Sequence, residues 1–341
     1  MRRRLARKIE RIWYSQLQPP LALRVAARLY RYWAISNLQR PSLRPPCPVI
    51  VVGNLVAGGS GKTPLVAALA GELAQRLGAA SVAIVSRGYR GIEPARPLRV
   101  GPDSRACQVG DEARELFART GLAVWVCARR ARALDQAWAH GARVVISDDG
   151  LQHRALARSF ELCVIDQRRG FGNGYVLPAG PLRQPLERLE TVDLVLVKQP
   201  GPSASAASSL ANATALADGS PPGAVAFQLE ALGLQAVDKT DRRPPQPPAA
   251  IDAIAGIADP QPFFETLEGR GFVVRRHPLA DHQPLDRALL DRLAGPVVMT
   301  VKDSMRLPQG GRRDVFALDV RACVPDQVFE RVFAHVREFK P

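Results

Sequence analysis

From residue 49 to about 199, short β-branched apolar runs alternate with stretches whose apolar positions recur every three or four residues. The runs at 49–55, 81–86, 123–127, 143–147, 161–165 and 193–197 read as strands, and 64–77, 111–120 and 129–140 read as helices. This alternation predicts an α/β fold, a doubly wound and mostly parallel sheet that receives ligands at the carboxyl ends of its strands. Residues 1–40 show two amphipathic helical patterns broken at Pro19-Pro20, and the proline-rich stretch 41–48 is a stiff linker into the first strand. Residues 200–223, rich in Ala, Ser, Gly and Pro, read as a surface connection with a helix at 207–217, and 238–249 reads as a loop. Beyond it come a strand at 249–257, helices at 260–271 and 285–294, strands at 296–301 and 314–319, and a helix near 326–338. The expected organisation is a basic N-terminal segment (1–45), a core domain (46–225) and a smaller α/β domain (226–341), with the C-terminal helix free to return to the core.

Composition refines this picture at two points. The chain of 341 residues is 46% apolar, enough for a substantial core. Its five cysteines include no Cys-x-x-Cys pair, which argues for reduced thiols in a cytoplasmic setting and against a disulfide frame or zinc site. The net charge is +15, and residues 1–45 carry eleven Arg/Lys against Glu10 alone, so 11 − 1 = +10 of it lies there. Trp13, Tyr14, Leu17, Leu21, Leu29, Tyr30, Tyr32 and Trp33 are interleaved with those arginines. No apolar run approaches the ~20 residues that span a bilayer. Basic and aromatic residues mixed in this way suit helices lying in an anionic headgroup layer. An RNA-binding arm and an ordinary solvated basic helix are the other readings.

The chemistry concentrates where the first strand ends. Residues 49–63 run from an apolar strand through a glycine turn into Gly61-Lys62-Thr63, with a helical stretch behind. That order is a phosphate-binding P-loop: glycines let main-chain N–H groups converge on phosphate oxygens at a helix N-terminus. Val56, Ala57, Gly58, Gly59, Ser60, Gly61, Lys62 and Thr63 are the nucleotide-binding candidates, with Lys62 for the β- and γ-phosphates and Thr63 for Mg²⁺. Val56 stands where the usual pattern has its first glycine.

Asp148 and Asp149 close the apolar strand at 143–147 and suit metal coordination, against the plainer reading of an Asp-Gly turn. Asp111 precedes a helical run, which by itself reads as an N-cap. His282, in a loop, reads alone as a solvated histidine. Arg87 and Arg90 follow the second strand, either as cations for an anionic substrate or as a polar turn.

Eight collinear motifs carry a resemblance. They are Val-Gly-Asn-Leu-x-x-Gly-Gly-x-Gly-Lys-Thr-Pro (52–64), Ser-Arg-Gly-Tyr (86–89), Gly-Asp-Glu (110–112), Asp-Asp-Gly-Leu-Gln-His (148–153), Phe-Gly-Asn-Gly (171–174), Leu-Pro-Ala-Gly-Pro-Leu-Arg (177–183), Ala-Gly-Ile (255–257) and Ala-Asp-His (280–282). From about residue 8 to the C-terminus the chain resembles the tetraacyldisaccharide 4′-kinases, the lipid A 4′-kinases of Gram-negative bacteria. The resemblance implies a P-loop NTPase-like core, ATP and Mg²⁺ as cofactors, and transfer of the γ-phosphate to the 4′-hydroxyl of a tetraacyl glucosamine disaccharide 1-phosphate. It implies Asp111 as general base with His282 as its partner, Asp148 and Asp149 as the metal-side acidic pair, and Arg87, Gln152, His153, Asn173 and Arg183 as substrate-side residues. An acylated acceptor implies work at the cytoplasmic face of the inner membrane, reached through the basic N-terminal segment; a monomer and no nucleic-acid partner are expected. Two positions depart from the family pattern: Gln184 and Val301 stand where it usually has glutamate. The rival function is a P-loop NTPase used as a switch or partner-binding module, with no lipid acceptor.

Overall fold

The computed structural model describes residues 9–15, 17–36, 44–92, 96–153, 155–201, 221, 223–238, 240–280, 283, 285–307, 312 and 314–340. His282 and the helix expected at 207–217 lie outside them.

The buried runs become strands because they can be covered on both faces. Each of β1 (Val49–Gly53), β2 (Val82–Ser86), β5 (Val144–Asp148) and β6 (Phe160–Asp166) is buried along its whole length. With β4 (Ala123–Val126) and β7 (Leu194–Gln199) they form the parallel order β7-β6-β1-β5-β2-β4, capped at the far edge by the two-residue antiparallel β3 (Leu98–Arg99). Ile50, Val52, Ile84 and Ile146 face the helices α2 (Lys62–Leu77) and α4 (Asp111–Thr120), and a four-residue helix α3 (Ala106–Val109) precedes the latter. Val49, Val51, Val85 and Val145 face α5 (Arg130–Ala139) and the inner side of α1 (Leu21–Ser36).

The sheet continues past β7 through β8 (Val225–Ala236), a 12-residue strand parallel to β7 and antiparallel to β12 (Val315–Cys323). Beyond β12 follow β11 (Val297–Thr300), β9 (Ala250–Ala255) and β10 (Val273–Pro278), so that among the described residues twelve strands share one sheet. Helices α6 (Gln261–Gly269), α7 (Arg287–Asp291) and α8 (Val301–Ser304) belong to this second half. The last helix, α9 (Asp326–Glu338), crosses back onto α2, where Arg76 pairs with Glu330 at 2.7 Å and lies 4.9 Å over the Phe333 ring.

One charged cluster anchors the second half. Asp252 on β9 accepts a bidentate pair from Arg275 (2.8 and 2.8 Å) and a third hydrogen bond from Gly295 N–H (2.8 Å); His277 Nε2 lies 2.9 Å away. The Arg275 hydrogen bonds dominate; burial opposes them, yet the carboxyl is held well below the usual carboxylate range. A lowered folded-state pKa stabilises above the unfolded value of about 3.9 and loses that stabilisation as pH falls through the folded one. Arg275 is half exposed, so solvent screens the pair. Asp252→Asn is therefore expected to cost about 1–2 kcal/mol at neutral pH and to flatten the acid limb of the stability profile below about pH 4. Urea unfolding midpoints across pH check this; an unchanged acid limb would remove the cluster from the stability account.

Candidate active site

The phosphate loop leaves the carboxyl end of β1. Gly61 takes the N-cap of α2 with φ 74°, a left-handed conformation suited to glycine, and a Cβ there would come within 2.9 Å of the Lys198 chain. Lys62 opens the helix. Its ammonium donates to Asn54 Oδ1 (3.0 Å) and Ser60 Oγ (3.4 Å) and lies 3.3 Å from Asp149 Oδ1. The Asn54 amide donates onward to Val56 O at 2.8 Å. Val56 sits in an antiparallel bridge with Leu182, an extended backbone that a β-branched residue favours, and Ala57 N–H donates to Pro181 O at 2.8 Å. Main-chain contacts thus fasten the loop to the 177–183 segment.

That segment delivers Arg183. Its N–H donates to Leu55 O (2.6 Å), and its guanidinium reaches Asp149 Oδ2 (3.0 Å) and Gln152 Oε1 (3.5 Å). Gln152 donates to Asn54 O at 2.7 Å and to the buried Gln184 at 3.4 Å. The neutral amide at 184 thus extends the polar network beside Arg183.

The two aspartates at the end of β5 differ in kind. Asp148 is buried, and its Oδ1 has no hydrogen-bond partner among the described residues. Burial, then repulsion from Glu112 and Asp149, pushes its carboxyl up, against Lys62 and Arg130. Asp149 bends the chain with φ 50°. Burial would raise its pKa too, but Lys62, Arg183 and Arg130 together outweigh that and hold it ionised. Arg130, buried at the start of α5, also donates to Asp149 O at 3.0 Å. His153 is half-buried; burial, helped by the nearby Arg130 charge, pulls it down to about 4, so it is neutral at physiological pH.

Asp111 corrects the N-cap reading. Gly110 (φ 86°) is the N-cap, and Asp111 is the first residue inside α4, buried, with Oδ1 accepting from Glu112 N–H at 3.0 Å. Gly110 has to be glycine for a second reason: a Cβ would lie 2.8 Å from Tyr89 O, because the 86–89 stretch and the start of α4 press backbone to backbone. Asp111 opens onto a cleft of about 1740 Å³ between the two halves of the sheet, shared with Arg90, Arg114 and Arg306. Arg306 Nε is 3.6 Å from Asp111 Oδ2; the same guanidinium pairs with Asp303 and donates to Gln283 O at 2.8 Å. Lys302 binds Glu112 at 3.0 Å. The second half of the chain therefore grips the Gly-Asp-Glu loop directly.

The remaining candidates are placed as follows. Arg87 stands exposed one residue beyond β2, near enough to Arg130 to repel its charge. Asn173 is engaged with main chain: its amide donates to Ile12 O (3.2 Å) and Ala179 O (3.0 Å), and its oxygen accepts from Tyr175 N–H (3.2 Å). It ties the N-terminal segment to the 171–180 loop and stands apart from the phosphate loop network. Arg130, Arg306, Lys302 and Asp303 carry no role in the sequence motifs. Lys302 and Asp303 do sit in the Thr-Val-Lys-Asp stretch, which was a usable signal; nothing local marks Arg130 or Arg306.

Fold and site together define a P-loop enzyme, a phosphate-binding α/β protein with its acidic pair on the strand beside the loop. Comparison with known proteins narrows the class. Residues 15–337 match the family model described as tetraacyldisaccharide-1-P 4′-kinase, and the chain belongs to that family. A tetraacyldisaccharide 4′-kinase of Alkalilimnicola ehrlichii is 40% identical over 86% of this chain and 84% of its own, and one from Pseudomonas aeruginosa is 37% identical over 93% of each. The crystal structure of LpxK from Aquifex aeolicus, solved in complex with ATP, superposes with a TM-score of 0.66 at 22% identity, covering 98% of this chain and 99% of that one. The protein is a phosphotransferase with an alcohol acceptor, an ATP-dependent kinase of lipid A biosynthesis.

Proposed function

We propose that this kinase works through a division of labour between the two halves of its sheet. The amides of 58–63 and Lys62 hold the ATP phosphates, and Lys62 stabilises negative charge developing on the transferred group. Asp148, with its unmatched buried oxygen, and the Thr63 hydroxyl fit the needs of Mg²⁺, which when bound neutralises charge on the β- and γ-phosphates. Asp149, committed to Lys62 and Arg183, orients those cations instead. Asp111 accepts the proton of the 4′-hydroxyl, with His282 as its partner, while Arg306 fixes the carboxylate. Arg87, Gln152, His153 and Arg183 face the acceptor side, and Asn173 shapes the loop beside them. The second half closes over the nucleotide, a reading supported by Ala258, 3.4 Å from where a Gly58 Cβ would stand.

The observation that carries this reading is that Lys62 at the helix mouth stands one strand away from Asp148, whose buried Oδ1 has no hydrogen-bond partner among the described residues. Its test is transfer from labelled ATP to the acylated disaccharide 1-phosphate in micelles, with the phosphorylated carbon mapped. Hydrolysis that ignores the lipid and answers only to a protein partner would favour the switch.

We further propose that α1 rests on an anionic membrane surface, at the cytoplasmic face of the inner membrane. Leu23, Ala27, Tyr30 and Ala34 pack inward, and Tyr30 donates to Arg183 O at 2.9 Å. Leu21, Val25, Leu29 and Tyr32 form an exposed outer stripe, flanked by Arg24, Arg28 and Arg31. No helix among the described residues is long and apolar enough to cross a membrane. Leucine side chains entering the interface contribute about 1.5–3 kcal/mol each when fully buried. Leu21→Asp/Leu29→Asp is expected to weaken binding to phosphatidylglycerol vesicles at least about tenfold. Unchanged co-sedimentation would take this face off the membrane.

A further inference from the structure

An arginine that the sequence motifs leave without a role points at the phosphate loop from the opposite side to Lys62. Arg169 follows β6, the strand beside β1, so it rises at the same carboxyl edge as the loop. Its Nη1 is buried and makes no hydrogen bond among the described residues. That nitrogen lies 2.9 Å from where a Cβ on Gly58 would stand. The rest of the guanidinium is held from the N-terminal segment: Nη2 lies 3.3 Å from Glu10 Oε1, and the group stacks 4.6 Å from the Tyr14 ring centroid. Nearby Trp13 is itself locked down, its Nε1 donating to Pro178 O at 3.0 Å and its carbonyl accepting from Asn173 N–H at 2.7 Å.

A buried guanidinium N–H without a partner costs stability unless a ligand completes it. Gly58 belongs to the stretch whose amides wrap the phosphates, and its missing side chain is what lets the arginine approach. Building on the kinase reading above, we infer that Arg169 is a catalytic arginine supplied in cis, donating through Nη1 to the phosphoryl group in flight. In that step the acceptor oxygen bonds to the γ-phosphorus while the bond from that phosphorus to the β–γ bridging oxygen breaks. The electron pair departs with ADP, and the acceptor proton passes to Asp111. Negative charge grows on the bridging and γ-oxygens, where a preorganised, poorly hydrated guanidinium stabilises it most. Glu10 and Tyr14 make the placement of this charge depend on a seated 9–15 stretch, just ahead of the helix α1 proposed to touch the membrane.

The test measures turnover at saturating ATP and lipid, ATP affinity, and affinity for ADP with aluminium fluoride, which mimics the group in flight. Arg169→Ala is expected to lower turnover about 10³-fold, as other cis or trans arginines of this kind do. It should weaken the ADP–aluminium fluoride complex by a similar factor and leave ATP affinity within a few-fold. Millimolar guanidinium should restore part of the turnover to Arg169→Ala and none to the intact enzyme. Arg169→Lys, which keeps the charge but loses the fork, should remain at least tenfold slow, and it serves as the variant if the alanine form does not fold. Should either variant turn over normally and bind the fluoride complex normally while the intact enzyme phosphorylates the lipid, Arg169 is only a tether and the inference fails. Absence of lipid phosphorylation by the intact enzyme would instead overturn the kinase reading.

Discussion

Asp111→Asn is expected to reduce lipid phosphorylation about 10²–10⁴-fold while ATP still binds. The substitution keeps the shape of the side chain and its place as first residue of α4. It removes only the capacity to take a proton, and with it the charge facing Arg306. Lys62, Asp148 and the loop amides are untouched, so nucleotide affinity has no reason to fall. The loss should appear in kcat and kcat/KM alike, the pattern of an interaction made in the transition state. Turnover within a few-fold of the unaltered enzyme would take Asp111 out of the proton transfer and leave it as a buried partner of Arg306.

The largest expected effect on stability lies at Glu161. This carboxylate is wholly buried on β6 between two buried arginines: Oε1 receives Arg158 at 3.1 Å and Arg188 at 2.5 Å. Arg158 also donates to Leu151 O (3.2 Å), Leu156 O (3.1 Å) and His153 O, so it sets the turn that carries Gln152 and His153. Glu161→Ala takes away the carboxylate that these two interior guanidinium groups share. Breaking a buried pair in this way costs about 3–5 kcal/mol, a large part of a typical domain's total of about 5–15 kcal/mol. A urea midpoint shift of that size, with slower turnover through the loosened 151–156 turn, is the expected result. A change below about 1 kcal/mol would mean that water already reaches the cluster.

Which parts of this molecule were readable in its sequence follows from what covers each part. β1, β2, β5 and β6 are buried on both faces and announce themselves as apolar runs. β10 does not, because its Val-Val-Arg-Arg-His-Pro lies at the sheet edge, with four of its six residues exposed. β8 alternates apolar residues with Gln, Glu and Gly, half-buried between two strands of opposite direction, and its diluted pattern follows straight on from the linker. The helix expected over 285–294 shrinks to Arg287–Asp291, capped by the Asp286 side chain.

The site divides along the same line. Lys62, Asp148 and Asp149 sit in motifs whose local order points to phosphate and metal binding, whereas the local order around Asp111 reads as an N-cap and only the family resemblance proposes it as a base. Arg130, Arg169 and Arg306 reach the site only because β6, α5 and the second half of the sheet fold around it, and no periodicity encodes that proximity. Asn173 shows the converse: a motif residue whose amide the fold commits to its own main chain.

In the proposed mechanism the loop at the carboxyl end of β1 grips a triphosphate while a carboxylate held by the second half waits for a sugar alcohol. A crystal structure with a non-hydrolysable ATP analogue, Mg²⁺ and the disaccharide lipid tests it most directly. The β- and γ-phosphates are expected on the amides of 58–63 beside Lys62, and the 4′-hydroxyl within hydrogen-bonding distance of Asp111. A triphosphate bound elsewhere, or a 4′-hydroxyl facing some other base with Asp111 still locked on Arg306, would contradict it.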